Sequence, residues 1–579
     1  MRDLNKLSSQ MLRRFYAKSW KASLMLFSTV LLVTATAPAA RAQNVSDLRG
    51  IYVYSEHPEN PSNFSQLQSA LQVQGVDGLT ALVGWQYIEF PFQQYSWGSA
   101  NLLDELMGAA ILNGKNVDLA IRAGQDTPCW LFSTGSTSCP IIYMPNGRAQ
   151  PIELVVAEVH GANSNCNANA FAAPWDPGFL TQWDQMLGAV ASHLQTTTYS
   201  NGPAWTLGWD ALVAVRLTGI NRSTNELRLP EEILAYTTQS PCGLDPYTND
   251  LSIWLTEGYK PSLLLSGWEG VTASFQNHFP GKLFTLAIIP DDSGNHDYPF
   301  PEISENGCVY PLGSAHKKAF KQTPPVPTKY TFCSGPLPDD NAPLLSWASS
   351  QFPNLVVGYQ SLIAGQQAEQ YVAVTAPATW GTLPAYQTND FNGPFQRASC
   401  ATQPSLNAPV CPGWQEYLQL LEIGIFPTCI SYWPNPIPAS EPCRTNPRSQ
   451  YIEVLPPDAT AFPQAILQAH AELVDYTPPA ITATAVPNVV HARKSSTVAV
   501  SGSITDDLSG VAPGTAQYSV TDSAGLTHLT GPITVNADGS YSFDVSLGGK
   551  PANRTYKISV SARDYAGNAG SAAAIVTEP

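Results

Sequence analysis

The stretch VAVRLTGINRSTNELRLP (213–230) begins as an apolar run and ends in a polar loop with one carboxylate, Glu226. Two other glutamates sit in similar settings: Glu453 between Ile452 and Val454, and Glu89 directly after GWQYI (84–88). A carboxylate held at a strand end beside apolar walls has its pKa lifted and can donate a proton, while a second one attacks or activates water. Each also has a plainer reading. Glu226 can pair with Arg222 or Arg228, and Glu453 can satisfy a buried partner. Asp291, Asp292, His296 and Asp297 gather metal-type donors in IPDDSGNHD (289–297), but a solvated loop explains them and no metal is expected. There is no G-x-S-x-G elbow, H-E-x-x-H pair, P-loop or dinucleotide fingerprint, so no cofactor is expected and serine-hydrolase, zinc-protease and nicotinamide chemistries fall back.

The elements that must position these groups follow from hydrophobic period. Eight apolar runs read as strands: 50–54, 79–85, 116–122, 212–219, 283–290, 354–360, 383–389 and 449–456. Helical patterns separate several of them. In SANLLDELMGAAILNGK (99–115), Leu102, Leu103, Leu106, Met107, Ala110 and Ile111 share a face with Asp104 and Glu105 opposite, and Gly114 ends the helix. Residues 175–194 and 413–425 behave likewise. Eight nearly all-apolar strands with helical crossovers predict an α/β chain with a (β/α)8 TIM barrel over residues 43–476. A doubly wound open sheet is the alternative, but no Gly-rich loop follows the first strand.

Past DYTPPAIT (475–482) the composition changes: Trp and Cys vanish, and Thr, Ser, Val, Ala and Gly dominate. Residues 477–482 suit a linker. The segments 497–505, 540–547 and 556–563 alternate with period two, which predicts an all-β sandwich over 483–579. At the other end, six basic residues precede the apolar run LMLFSTVLLV (24–33) and the A-x-A signal Ala40-Arg41-Ala42. Residues 1–42 therefore read as a secretory signal peptide, cleaved near Ala42, and the apolar run is short for a membrane span of about 20 residues. The expected location is secreted, periplasmic or at the cell surface. Losing that segment removes seven of 29 basic and one of 45 acidic residues, leaving a charge of −22. Such acidity argues against nucleic acid or an anionic membrane as partner. Ten cysteines in an exported chain predict disulfides, with Cys308–Cys333, Cys400–Cys411 and Cys429–Cys443 as close pairs. Cys129, Cys139, Cys166 and Cys242 leave their pairing open.

Residues 79–133, with GWQYIEFPFQQYSW followed by NLLDELMGAAILNGKNVDLAIRAGQDTPCWL, resemble the second and third βα units of β-galactosidase-type TIM-barrel glycoside hydrolases. APWDPGFLTQW (173–183) extends the likeness. TDDLSGV (505–511) and ARDYAGNAG (562–570) resemble bacterial immunoglobulin-like modules, which act as spacers or adhesive units, so the C-terminal domain is expected to meet a cell surface or matrix. Asp506, Asp507 and Asp564 read as turn residues there, with a calcium site as the alternative. The hydrolase resemblance implies a carbohydrate substrate or ligand and two carboxylates, an acid after strand four and a nucleophile at strand seven. Carried across, Asn225-Glu226 supplies the acid dipeptide, with Asn221 nearest the family's position. Strand seven offers Gln387 where a glutamate is expected, so Asp390 and Glu453 are the candidates for the second carboxylate, in an inverting arrangement. Glu89 is expected to be structural or sugar-binding. Trp85, Trp130, Trp380 and Trp433 are candidate stacking platforms, and Trp85, Glu89, Trp130, Asn221, Asn225 and Gln387 together would bind substrate. An amide cannot form a glycosyl ester, so a non-catalytic glycan-binding protein on a degenerate barrel stays open as the other reading.

Overall fold

The computed structural model describes residues 45–89, 94–99, 101–131, 154–158, 168–221, 227, 258–288, 304–308, 333–334, 343–362, 383–388, 414–426, 429, 438, 441, 443–444, 448–491, 495–524, 527–547 and 553–579. The signal-like segment 1–42 and the acidic loop 291–297 lie outside these residues.

All eight apolar runs are strands of one curled sheet: β1 (Gly50–Tyr54), β2 (Val76–Gly84), β3 (Asn116–Arg122), β4 (Leu212–Arg216), β5 (Leu283–Ile288), β6 (Val356–Leu362), β7 (Leu383–Thr388) and β8 (Tyr451–Val454). Neighbouring strands are parallel, and β8 pairs with β1 from Gly50↔Tyr451 to Val53↔Val454, so the ladder returns on itself. Helices cover the sheet: α1 (Pro61–Ala70), α2 (Leu102–Leu112), α3 (Pro177–Thr196), α4 (Pro261–His278), α5 (Pro343–Gln351), α6 (Trp414–Ile425) and α7 (Pro463–Val474). Local chemistry starts them. Side chains of Asn60, Asn101 and Asp176 accept hydrogen bonds from the first-turn N–H groups of Ser62, Leu103 and Phe179. Gly114, at φ +66°, stops the chain after α2. No helix among the described residues is long and apolar enough to cross a membrane.

The pattern misplaced one residue of α2. Asp104, expected opposite the apolar face, is buried, because the end of α3 and a hairpin (Thr198–Ser200 with Trp205–Leu207) close over it. Its Oδ1 accepts from His193 Nε2 at 2.7 Å and from the Tyr199 hydroxyl, and its Oδ2 accepts from the Gly98 N–H at 2.5 Å. Trp97 stacks on the His193 ring at 4.0 Å. Burial alone would lift the Asp104 carboxyl, but the bonds from His193, Tyr199 and Gly98 outweigh it and hold the group below the usual aspartate range. The stability this contributes is present above the unfolded pKa of about 3.9 and is lost as pH falls through the lower folded value. Asp104→Ala is therefore expected to cost about 1–3 kcal/mol at pH 7 and to flatten the acid limb of urea-unfolding curves; an unchanged acid limb would refute this assignment.

Beyond α7 the chain forms two antiparallel sheets. One holds β9 (Ala480–Ile481), β10 (Thr484–Val486), β11 (Ser496–Thr505) and β14 (Ser540–Leu547), with β9, β10 and β14 all pairing to β11. The other runs β13-β12-β15-β16, from β12 (Gln517–Asp522), β13 (Thr527–Pro532), β15 (Arg554–Arg563) and β16 (Ala569–Glu578). Tyr541, Val545 and Leu547 face Tyr556, Ile558, Val560 and Ala562 in a shared core, as the period of two requires.

The last barrel helix meets these sheets through Arg444. Its Nη2 pairs with Glu422 at 3.0 Å, and its Nη1 with Glu472 at 3.2 Å while also donating to the Tyr565 carbonyl at 2.7 Å. Burial, and then the charge of Glu422, push the Glu472 carboxyl up to about 8 against the pull of Arg444. Gly567, at φ +83°, permits this approach, since a Cβ there would sit 2.2 Å from the Arg444 carbonyl oxygen. The Cys429–Cys443 disulfide ends one residue from Arg444, and Cys308–Cys333 is also formed. Cys139, Cys166, Cys242, Cys400 and Cys411 lie outside the described residues, as does the Cys129 side chain.

Candidate functional site

Strands that are apolar outside enclose charge within. Arg216, the last residue of β4, is wholly buried, and its Nη2 donates to Asp118 Oδ2 of β3 at 2.6 Å, to the Tyr451 hydroxyl of β8 at 3.2 Å and to Glu453 Oε1. Its Nη1 lies 3.4 Å from Glu453 Oε2, and Thr80 of β2 donates to Glu453 Oε1 at 2.5 Å. Thr285 of β5 donates to Asp118 at 3.1 Å. Five strands thus contribute to one network around a single guanidinium. Burial lifts the Asp118 carboxyl, and the charge of Glu453 adds to it against the opposing pull of Arg216. For Arg216, burial works against the charge, yet Glu453, Tyr451 and Asp118 carry its pKa well above the ordinary value. Gly78 makes room beside this layer, because a Cβ would fall 2.2 Å from the Tyr52 ring.

At the carboxyl ends of β1, β2 and β3 lies a second polar group. Arg122 is buried, pairs through Nε with Asp126 Oδ2 at 2.8 Å and donates from Nη1 to the Glu56 carbonyl at 2.8 Å. Gln86 Nε2 donates to Asp126 Oδ1 at 3.0 Å. Gly84 cradles the carboxylate, since a Cβ there would stand 2.8 Å from Asp126 Cγ. Burial raises the Asp126 carboxyl despite Arg122, so this group holds a proton more readily than a free aspartate. Tyr87 is exposed on the same rim. Sequence reading passed over Arg216, Asp118, Arg122 and Asp126. The available signal was opposite charge interrupting apolar strands in NVDLAIR and LVAVR, and an i,i+4 Arg–Asp pair after β3.

The predicted residues fall in several places. Glu453 is buried within the Arg216 network, the buried-partner reading of its sequence context. Glu89 is buried and accepts from Trp85 Nε1 at 2.9 Å; burial, and then the Glu89 charge, raise the nearby Tyr95 hydroxyl. Trp85 is enclosed by Trp183 at 5.4 Å, Phe179 at 6.1 Å and Trp130 at 6.4 Å between ring centroids. Stacking on a sugar would require that enclosure, which also buries Trp130, to open. Asn221 is buried beyond β4. Gln387 lies on β7 in register with Glu453 and with Gln360 of β6. Glu226, Asn225, Asp390, Trp380 and Trp433, and the Gln387 side chain, lie outside the described residues. Among the described residues, one group of three ligating side chains converges closely enough for a metal, Asp475, Asp506 and Asp564 in the C-terminal region.

After β4 the chain stays against the barrel. The Leu217 N–H bonds to the Thr285 carbonyl at 2.7 Å, and the Thr218 hydroxyl bonds to the Ile121 carbonyl at 2.5 Å. Gly219, at φ +106°, is pressed between Val271 and Trp183, where a Cβ would be 2.7 and 2.9 Å from their side chains. The chain is described again at Leu227, which is buried and bonds through its N–H to the Ala287 carbonyl of β5 at 2.6 Å.

No family model matches the sequence, and no curated protein matches it. Among solved structures, a calcium-binding mutant of Bacteroides uniformis beta-glucuronidase 2 aligns over 92% of this chain and 45% of its own, at 8% identity and a TM-score of 0.29. A beta-glucosidase from Listeria innocua in complex with glucose aligns over 58% of this chain and 52% of its own, at 9% identity and a TM-score of 0.17. A CARDB domain from Pyrococcus furiosus, solved with di-metal ions, aligns over 18% of this chain and 91% of its own, at 13% identity and a TM-score of 0.14. The chain spans under half the length of the beta-glucuronidases it matches. Glycoside hydrolases are thus among its structural neighbours, at likenesses too low to carry an argument about activity.

Proposed function

We propose that this chain is an exported glycoside hydrolase-like protein. A (β/α)8 TIM barrel (43–476) carries the site, a linker (477–482) follows, and an immunoglobulin-like sandwich (483–579) acts as spacer or adhesive module. The observation that supports this best is the bond from the Leu227 N–H to Ala287, which anchors the chain neighbour of Glu226 at the carboxyl end of β5. Glu226 immediately precedes Leu227 in the sequence, and glycosidic chemistry on this kind of fold is done at the carboxyl ends of the strands. In this reading Glu226 protonates the leaving glycosidic oxygen, Asn225 is the other half of the acid dipeptide, and both Asn225 and Asn221 bind substrate. Asp390 supplies the second carboxylate more readily than Glu453, whose oxygens are already engaged by Arg216 and Thr80. With Gln387 at strand seven, direct attack by water suits the site better than a covalent ester.

That engagement of Glu453 equally favours the second reading, a barrel that binds glycan without hydrolysing it. Purified protein assayed on aryl-glycosides and polysaccharides separates the two. Turnover that falls at least ~10²-fold in Glu226→Gln is the expected result. Turnover untouched by the substitution would remove Glu226 from the mechanism, and saturable sugar binding without turnover would establish the non-catalytic reading.

A further inference from the structure

We infer that Asp475, Asp506 and Asp564 form a calcium site where the last barrel helix joins the C-terminal sheets. The three arrive from separate segments: Asp475 directly follows α7, Asp506 follows β11 and Asp564 follows β15. One carboxylate oxygen from each lies within 4.8 Å of the others. A single Ca2+ ion, with oxygen ligands at about 2.3–2.6 Å, spans that spacing, and an all-oxygen donor set selects a hard cation over zinc or copper.

Convergence alone would not suffice, since acidic turns are common. Asp506 sets this cluster apart from an ordinary acidic turn. Its Oδ1 accepts from the N–H groups of Leu508 at 3.2 Å and Gly510 at 2.7 Å, whereas its Oδ2 is closed to solvent and takes no hydrogen bond among the described residues. An anionic oxygen shut away from water without a donor is unfavourable until a cation meets it. The other two carboxylates are fully buried and held by neutral donors. Asp475 accepts from Thr477 N–H at 2.9 Å and from the Ser509 N–H and hydroxyl at 3.1 and 2.6 Å. Asp564 accepts from the Asn568 N–H and side-chain amide, both at 2.8 Å. Those bonds orient the carboxylates without neutralising them. Arg448, whose charge reaches Asp564 and Asp475, spends its donors on the Glu472 carbonyl at 2.5 Å and on Asn568 at 3.4 Å, and lies over the Tyr476 ring. A cation here would tie the end of α7 to two loops of the sandwich and stiffen the junction.

Isothermal titration of the chelator-treated full chain with CaCl2, and separately with MgCl2, tests this. One Ca2+ per chain is expected, with thermal melting raised by Ca2+. Affinity should fall at least tenfold in Asp506→Asn. Asp506→Asn retains the Oδ1 acceptor of its turn; should it fail to fold, Asp564→Asn gives the same readout. Folded wild-type chain that binds no Ca2+, tighter binding of Mg2+ than Ca2+, or affinity unchanged in the folded variant would each overturn the assignment.

Discussion

Arg216→Met is expected to destabilise the barrel by about 3–5 kcal/mol, the range for removing one side of a buried ion pair. Methionine has a similar length and leaves little void, so the loss measures charge rather than packing. Asp118 and Glu453 would then face each other without a counter-ion in a wholly buried layer. The sign of the pH dependence follows. Asp118 is already lifted by burial in the wild type, and removing Arg216 removes the influence that lowers it. A carboxyl whose folded pKa exceeds its unfolded value loses stability as pH rises, so the defect should be larger at pH 8 than at pH 5. Urea unfolding of both proteins at the two pH values checks this. A loss under ~1 kcal/mol, or one independent of pH, would mean that Arg216 is not what holds the layer together. Combining Arg216→Met with Asp118→Asn and Glu453→Gln should recover much of the loss, because the uncompensated charges disappear together.

Trp183→Ala is expected to cost about 3–5 kcal/mol through the cavity it leaves. The indole is fully buried and packs on Trp85, Phe179 and Phe275 at ring-centroid distances of 5.4, 6.3 and 5.9 Å. It also forms part of the wall against which Gly219 turns. The substitution therefore acts on two levels. The packing between α3 and the sheet weakens, and the start of the segment from Gly219 towards Glu226 loses its support. If that segment carries a proton donor, activity should fall even at temperatures where the variant stays folded. Thermal melting paired with an aryl-glycoside assay reads both effects. Trp183→Phe, which refills most of the cavity, should restore stability further than it restores the placement of Gly219. Near-wild-type melting of Trp183→Ala would contradict the buried aromatic cluster.

The legible part of this fold is local. LTALVGW, NVDLAIR and LVAVRLTG announce β2, β3 and β4 because parallel strands buried on both faces can carry few polar residues. Asn101 and Gly114 mark the ends of α2 because they answer the unpaired backbone groups there. Asp104 is not encoded locally in this way. Helical period places it opposite the apolar face, but a hairpin about ninety residues away, with His193 and Tyr199 beside it, buries it. Nothing within a helical turn of Asp104 encodes that. The candidate site behaves the same way. Glu453 stands out as a charge in an apolar strand, yet its partner lies 237 residues earlier in the chain.

By itself, then, the sequence determined which segments are strands and helices, the change of architecture near residue 480, and two disulfides between close cysteines. Those properties depend on periods of two and 3.6 residues and on short loop closures, which a chain carries in any small window. Only the tertiary structure decided that Arg216 draws Asp118 and Glu453 into one buried layer, and that Asp475 joins Asp506 and Asp564 at the junction. Such groupings arise when a sheet closes on itself or when segments far apart in the chain pack together. The favourable energy of opposite charges, or the repulsion of three like ones, exists only after distant side chains are brought within a few ångströms and out of water.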